Sequence, residues 1–144
     1  MIYFAWTSDI EIGHPEIDEQ HKQLFLLGEA VVESLNSSGE QKPTEAQLQV
    51  FATQLKGFIA YAQEHFKYEE GLMRSVGYPE AERHAKYHAS LLTELIMHCN
   101  KVNWGENTNP VDLTSFLWNW LILHIDLADR EVVVWLKSQE PNVV

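Results

Sequence analysis

The chain has 144 residues, 45% of them hydrophobic, and a formal net charge of -11. That length suits one domain with its own core, and the hydrophobic share excludes a disordered or fibrous chain. The acidity excludes a nucleic-acid partner, because a phosphate backbone would be repelled over most of the surface, and it disfavours an anionic membrane face.

Residues 1–16 read as an extended lead-in, with Gly13 and Pro15 blocking an early helix. The opening MIYFAWTSDI carries no basic n-region and no long apolar run, so no secretory signal is expected. Cys99 is the only cysteine, which rules out an internal disulfide and suits a reducing compartment. The most apolar stretch, FLWNWLILHIDLA, is too short and too polar to span a bilayer. A cytoplasmic protein without membrane insertion is expected.

A first helix should run from about Ile17 to Asn36 and end in the turn-prone SSGEQKP. Thr44 and Gln47 form a capping-box pattern opening a second helix, from Thr44 to about Val76. Gly77 then serves as a C-terminal cap, and Pro79 restarts the chain for a third helix reaching Val102. Asn109-Pro110 has the form of a cap followed by a first-turn proline, for a fourth helix of 110–137. Short loops between long helices predict a single all-α domain over 1–144, an up-down-up-down four-helix bundle with an extended N-terminal lead-in.

Each helix carries a seam at alternating three- and four-residue steps, which should face the core. The seams read Ile17, His21, Leu24, Gly28, Val31, Leu35; then Phe51, Leu55, Phe58, Ala62, His65, Glu69, Leu72, Val76. They continue as Ala81, His84, His88, Leu91, Leu95, His98, Val102 and Leu113, Leu117, Trp120, His124, Leu127. Histidines therefore point inward from all four helices, with a glutamate on the second. A buried polar group without a partner costs roughly 2–7 kcal/mol, and several together would consume a stability of about 5–15 kcal/mol. A lone core histidine is usually just hydrogen-bonded. Here the antiparallel topology brings His21, His65, Glu69, His84, His88 and His124 to one level at one end of the bundle, and a shared metal offsets their joint cost.

The spacing refines that expectation. His65 and Glu69 are four apart, as are His84 and His88, so each pair stacks on one helical face. Two ligands from each of two helices exceed what one tetrahedral zinc needs, and nitrogen with carboxylate suits a pair of first-row ions. On the fourth helix, Asp126 and Asp129 stand roughly 200° and 140° from His124 on an ideal helix, so neither stacks on it. Asp129 is the nearer and reaches in if the helix is locally distorted. His14, in the lead-in, reads as a surface residue. His98 lies about 15 Å beyond His88 along its helix and reads as a hydrogen-bonded or edge-of-core residue.

The strings GHPEIDEQHKQL, HFKYEEGLM, GYPEAERHAKYH and WNWLILHIDLAD, with Trp6 upstream, resemble the bacterial single-domain hemerythrins of the hemerythrin family across nearly the whole chain. The resemblance implies a metal-ligand set of His21, His65, Glu69, His84, His88, His124 and Asp129, and it selects Asp129 over Asp126. It implies two iron ions, one held by His84, His88 and His124 and the other by His21 and His65. Glu69, Asp129 and an oxo or hydroxo group would bridge them, with an open position on the two-histidine iron. It also implies an apolar oxygen pocket of Leu24, Phe66, Trp120, Leu121 and Ile125, residues that would otherwise read as ordinary core. The departures are minor: Ile10 stands four residues after Trp6, where an aromatic or large apolar residue is frequent, and the loop between the first two helices is long, as is common in bacterial members.

Reversible binding of dioxygen, for storage or delivery, is the function this resemblance implies, in a monomer without catalytic residues. Oxygen or redox sensing would need a separate signalling partner, and delivery an oxygen-consuming one. Oxidoreductase chemistry on peroxide or nitric oxide would need an acid–base residue beside the open site, and the sequence offers none dedicated to it. A ferritin-like oxidase would carry Glu-x-x-His on two helices, whereas the only such string, Glu11 to His14, is broken by Gly13. HAKYH lacks the general-base glutamate of a zinc protease.

Overall fold

The computed structural model describes residues 6–36, 44–103 and 110–139. The expected loops at 37–43 and 104–109 and the Asn109 cap lie outside the described residues, as do the side chains of the seam positions Leu35, Val102, Leu113 and Leu127 and of Asp126. After a short 3-10 turn at Ser8–Ile10 come α1 (Pro15–Asn36), α2 (Glu45–Ser75) and α3 (Ala81–Asn103). The last rod has three continuous parts: α4 (Pro110–Ile122), a π-helical stretch (Leu123–Asp129) and α5 (Arg130–Ser138). α1 packs against α2 and α4, and α2 against α3, which is the four-helix bundle that the periodicity predicts. Among the described residues no helix is long and apolar enough to cross a membrane.

Local chemistry sets the helix ends. Proline does not block α1 but opens it, because the missing N–H of a first-turn proline is one that has no helical partner anyway. His14, expected as a surface residue, caps this end: its Nδ1 accepts the Ile17 N–H at 3.2 Å. Asp18 reaches back to accept the Ile12 and Gly13 N–H groups at 2.8 and 3.1 Å, so the lead-in is tied to the helix it precedes. At α2 both halves of the Thr44–Gln47 capping box form, at 3.1 and 2.8 Å.

α2 stops at a Schellman turn. Gly77 takes a positive φ of 72°, its N–H reaches Arg74 O at 3.3 Å, and the Tyr78 N–H reaches Met73 O at 2.9 Å. Tyr78 packs on Met73, the apolar contact that accompanies this turn, with Val132 completing the cluster. That lock sets the direction in which α3 leaves. α3 starts at Ala81, not Pro79, after a turn in which Ala81 N–H bonds to Tyr78 O at 3.2 Å.

The seams are buried where they are described, with four exceptions toward the helix ends. Val76 is exposed, since it sits at the α2 cap, and Leu72 and Ala81 are only partly covered. His98 is also at the margin, its ring stacked on Phe116 at 3.9 Å. The main core gathers Phe25, Phe51, Phe58, Leu95 and Leu117 among others. Above it, toward the lead-in end, the interior turns polar.

Candidate metal centre

His21 comes from the second turn of α1, His65 and Glu69 from α2, His84 and His88 from α3, His124 and Asp129 from the π-helical stretch. All seven side chains are buried, none more than 6% exposed. The π stretch explains how a carboxylate five residues past His124 joins it. The Arg130 N–H bonds to Ile125 O, five residues back, so the turn there is wider and residues five apart come nearly into line.

The donor atoms crowd together. His21 Nε2 stands 2.7 Å from Asp129 Oδ2, and His65 Nε2 stands 2.7 Å from Glu69 Oε1. His124 Nε2 has three polar neighbours at once: Asp129 Oδ2 at 2.8 Å, Glu69 Oε1 at 3.0 Å and His65 Nε2 at 3.1 Å. One ring nitrogen carries one proton at most, so it cannot satisfy all three. His84 Nε2 lies 3.0 Å from Asp129 Oδ1, yet neither atom makes a hydrogen bond, and His88 Nε2 has no hydrogen-bond partner either. Buried polar atoms are seldom left this way. Lone pairs converging on a common point are what a cation organises.

Two overlapping donor groups result. His21, His65, Glu69, His124 and Asp129 lie mutually within 4.8 Å, and so do Glu69, His84, His88, His124 and Asp129. Glu69 and Asp129 belong to both, as two carboxylates between two cations would. His124 also belongs to both, whereas the resemblance assigns it to the side of His84 and His88. The buried His/Glu/Asp cluster fits a metal centre, and its mix of imidazole and carboxylate suits first-row transition ions.

Electrostatics reinforce the crowding. Burial pushes His88 down to about 2, helped by the neighbouring charges of His124 and His84, so its ring is neutral and ready to donate a lone pair. Burial also lowers His21, against the pull of Asp129. Burial opposes the charge of His124 too, but Asp129 and Glu69 outweigh it and push this residue up to about 10. His65 is raised by Glu69 and Asp129 in the same way, despite burial. Asp129 is held well below the usual carboxylate range because His124, and hydrogen bonds from its neighbours, overcome the cost of burial.

Leu24, Phe66, Trp120, Leu121 and Ile125 are all buried. Phe66 stacks on His88 with ring centroids 4.0 Å apart and meets His124 edge-on at 5.0 Å. Trp120 lies 5.8 Å from Phe66, and its indole N–H is occupied by Leu91 O at 2.9 Å. The indole N–H is the one side-chain hydrogen-bond donor among these five residues, so none of them has a free donor. On the His84 side a groove of about 360 Å³, lined by Tyr78, Arg83, Tyr87 and Ala128 among others, brings the surface close to the donors.

Two contacts lie outside what the seams reveal. The outer nitrogen of His65 meets Gln20 Oε1 at 2.8 Å, and that of His88 meets Glu70 Oε2 at 3.3 Å. Gln20 and Glu70 each precede or follow a seam residue by one position, about 100° around the helix. Nothing in either local sequence marks them.

Residues 13–136 match the family model of the hemerythrin HHE cation binding domain. The chain is 27% identical over 138 residues to a bacteriohemerythrin of Stenotrophomonas maltophilia, covering 96% of this chain and 84% of that one. A bacteriohemerythrin of Clostridium acetobutylicum is 24% identical, over 90% of this chain and 98% of its own, and a hemerythrin-like protein of Naegleria gruberi is 27% identical, over 89% of each. Among solved structures, a hemerythrin point mutant superposes with a TM-score of 0.76 at 25% identity, covering 93% of this chain and 97% of that one. Since the match takes in every element that contributes a donor, the chain belongs to the hemerythrin family.

Proposed function

We propose that this chain binds dioxygen reversibly, for storage or delivery, at a non-haem di-iron centre. His84, His88 and His124 would hold one iron and His21 and His65 the other, with Glu69 and Asp129 serving both together with a solvent-derived oxo or hydroxo group. With only His21 and His65 as imidazole donors on its side, an iron there would leave a coordination position open to a small ligand. Leu24, Phe66, Trp120, Leu121 and Ile125 form the pocket, excluding water and holding no proton donor against the ligand. A lining of that kind supports binding without turnover, because a reduction would need protons delivered there. The observation that carries the reading is the sharing of Glu69 and Asp129 by two buried donor groups.

The test is iron analysis of the purified, reconstituted protein, followed by anaerobic reduction and optical spectra with and without oxygen. Two irons per chain are expected, with an absorption band that appears under oxygen and disappears when oxygen is removed. One metal or none per chain, or a single irreversible oxidation, overturns the reading.

A further inference from the structure

Every imidazole that turns one nitrogen to the centre has a second facing away, and the partner of that second nitrogen decides the tautomer. For His65 the partner is Gln20, whose amide is itself held in place. Gln20 Nε2 donates to Glu16 Oε1 at 3.1 Å, one turn back on α1. With the amino group spent there, the carbonyl oxygen faces His65 Nδ1 at 2.8 Å, and a carbonyl oxygen only accepts. The proton therefore sits on His65 Nδ1, and the Nε2 lone pair is left to the centre. For His88, the carboxylate of Glu70 enforces the same arrangement directly at 3.3 Å.

The two acceptors differ in charge. Gln20 is a neutral amide that relays to a carboxylate at one remove, whereas Glu70 brings its negative charge to the ring. A charged acceptor makes the stronger hydrogen bond and raises the basicity of the ring more than an amide does. Neither residue belongs to the two donor groups.

We propose that Gln20 and Glu70 are positioning residues that fix His65 and His88 as Nε2 donors, and that Glu70 makes His88 the stronger of the two. The two metal positions are thereby unequal in electron density as well as in ligand number. This rests on the di-iron reading above.

The experiment compares the iron-loaded protein with Q20L, E70L, Q20E and E70Q, measuring iron(II) affinity by chelator competition and midpoint potential by redox titration at fixed pH. The leucine variants, which keep no acceptor, are expected to bind iron about 10–100-fold more weakly. Q20E and E70Q each preserve an acceptor oxygen on a side chain of the same length, so both should retain most of the affinity. Their potentials should move in opposite directions, upward for E70Q as donor charge is withdrawn and downward for Q20E as it is added. A merely structural role would change affinity without that opposition. A wild type holding fewer than two irons overturns the function and this assignment together. A two-iron wild type with E70Q and Q20E potentials unchanged, or moved in the same direction, overturns this assignment alone.

Discussion

His124 shows how the donors behave without a cation between them. Its proton is retained up to about pH 10, because Asp129 and Glu69 outweigh the burial that opposes its charge. A metal needs the neutral ring, so loading at neutral pH must expel that proton. Lowering the pH favours the protonated form, hence affinity should fall about tenfold per unit for each proton displaced, a cost of about 1.4 kcal/mol. Titration calorimetry in buffers of different ionisation enthalpy should find about one proton or more released per chain at pH 7; no release would contradict the assignment of His124. His88 works in the opposite sense for folding. Its unfolded ring binds a proton below about pH 6.5, but the folded one resists down to about 2. The metal-free protein should therefore lose stability as pH drops below about 6.5, read as a lower urea midpoint at pH 5 than at pH 7. Single-residue deletions separate the ligands from their neighbours. His65→Ala and Asp129→Ala should each lower iron content, whereas Asp126→Ala should leave it unchanged, as metal analysis of the purified variants will show.

At the scale of the element, caps and a single irregular turn decide where the donors stand. Thr44 closes both halves of a capping box, so Thr44→Ala should cost about 1 kcal/mol in urea denaturation while leaving iron content intact. A loss of iron as well would mean that the register of α2 depends on its first turn. This box was legible because its signal lies within four residues, and so was the Gly77 stop. The seams were legible too, since burial of one face imposes the three- and four-residue period over several turns. The π-helical stretch was not. Its effect on the Asp129 position follows from a hydrogen-bond slip from four residues to five, and LHIDLAD contains no proline or glycine to announce it. Spacing alone left Asp126 and Asp129 open for that reason. Gln20 and Glu70 carry no local signal, because their partners lie 45 and 18 residues away, a relation set by the packing of one helix on another. Pro15 reads as a barrier from sequence because a missing N–H matters inside a helix, whereas at the first position, where the structure places it, the loss is harmless.

For the whole molecule, the bundle divides into an apolar half that stabilises itself and a polar end that needs a cation. Phe51, Phe58, Leu95 and Leu117 are buried with one another and require nothing further. His21, His65, Glu69, His84, His88, His124 and Asp129 are buried as deeply, yet several of their polar atoms have no partner or share one proton among rivals. Such atoms cost about 1–3 kcal/mol each when unsatisfied, against a total stability of about 5–15 kcal/mol. Iron bound as proposed would remove that cost only in the folded state, so loading should raise the unfolding temperature. At a free iron concentration a hundred times the dissociation constant the gain is about 2.7 kcal/mol. With about 2–4 °C per kcal/mol for a chain near this size, the shift should be roughly 5–11 °C. Calorimetric melting of iron-loaded and chelator-stripped protein measures it. The apolar half should keep the stripped chain helical by circular dichroism, so the shift reports on the polar end and not on global collapse. Equal melting temperatures would mean that the seven side chains satisfy one another without a metal, and the premise that their burial demands one would be lost.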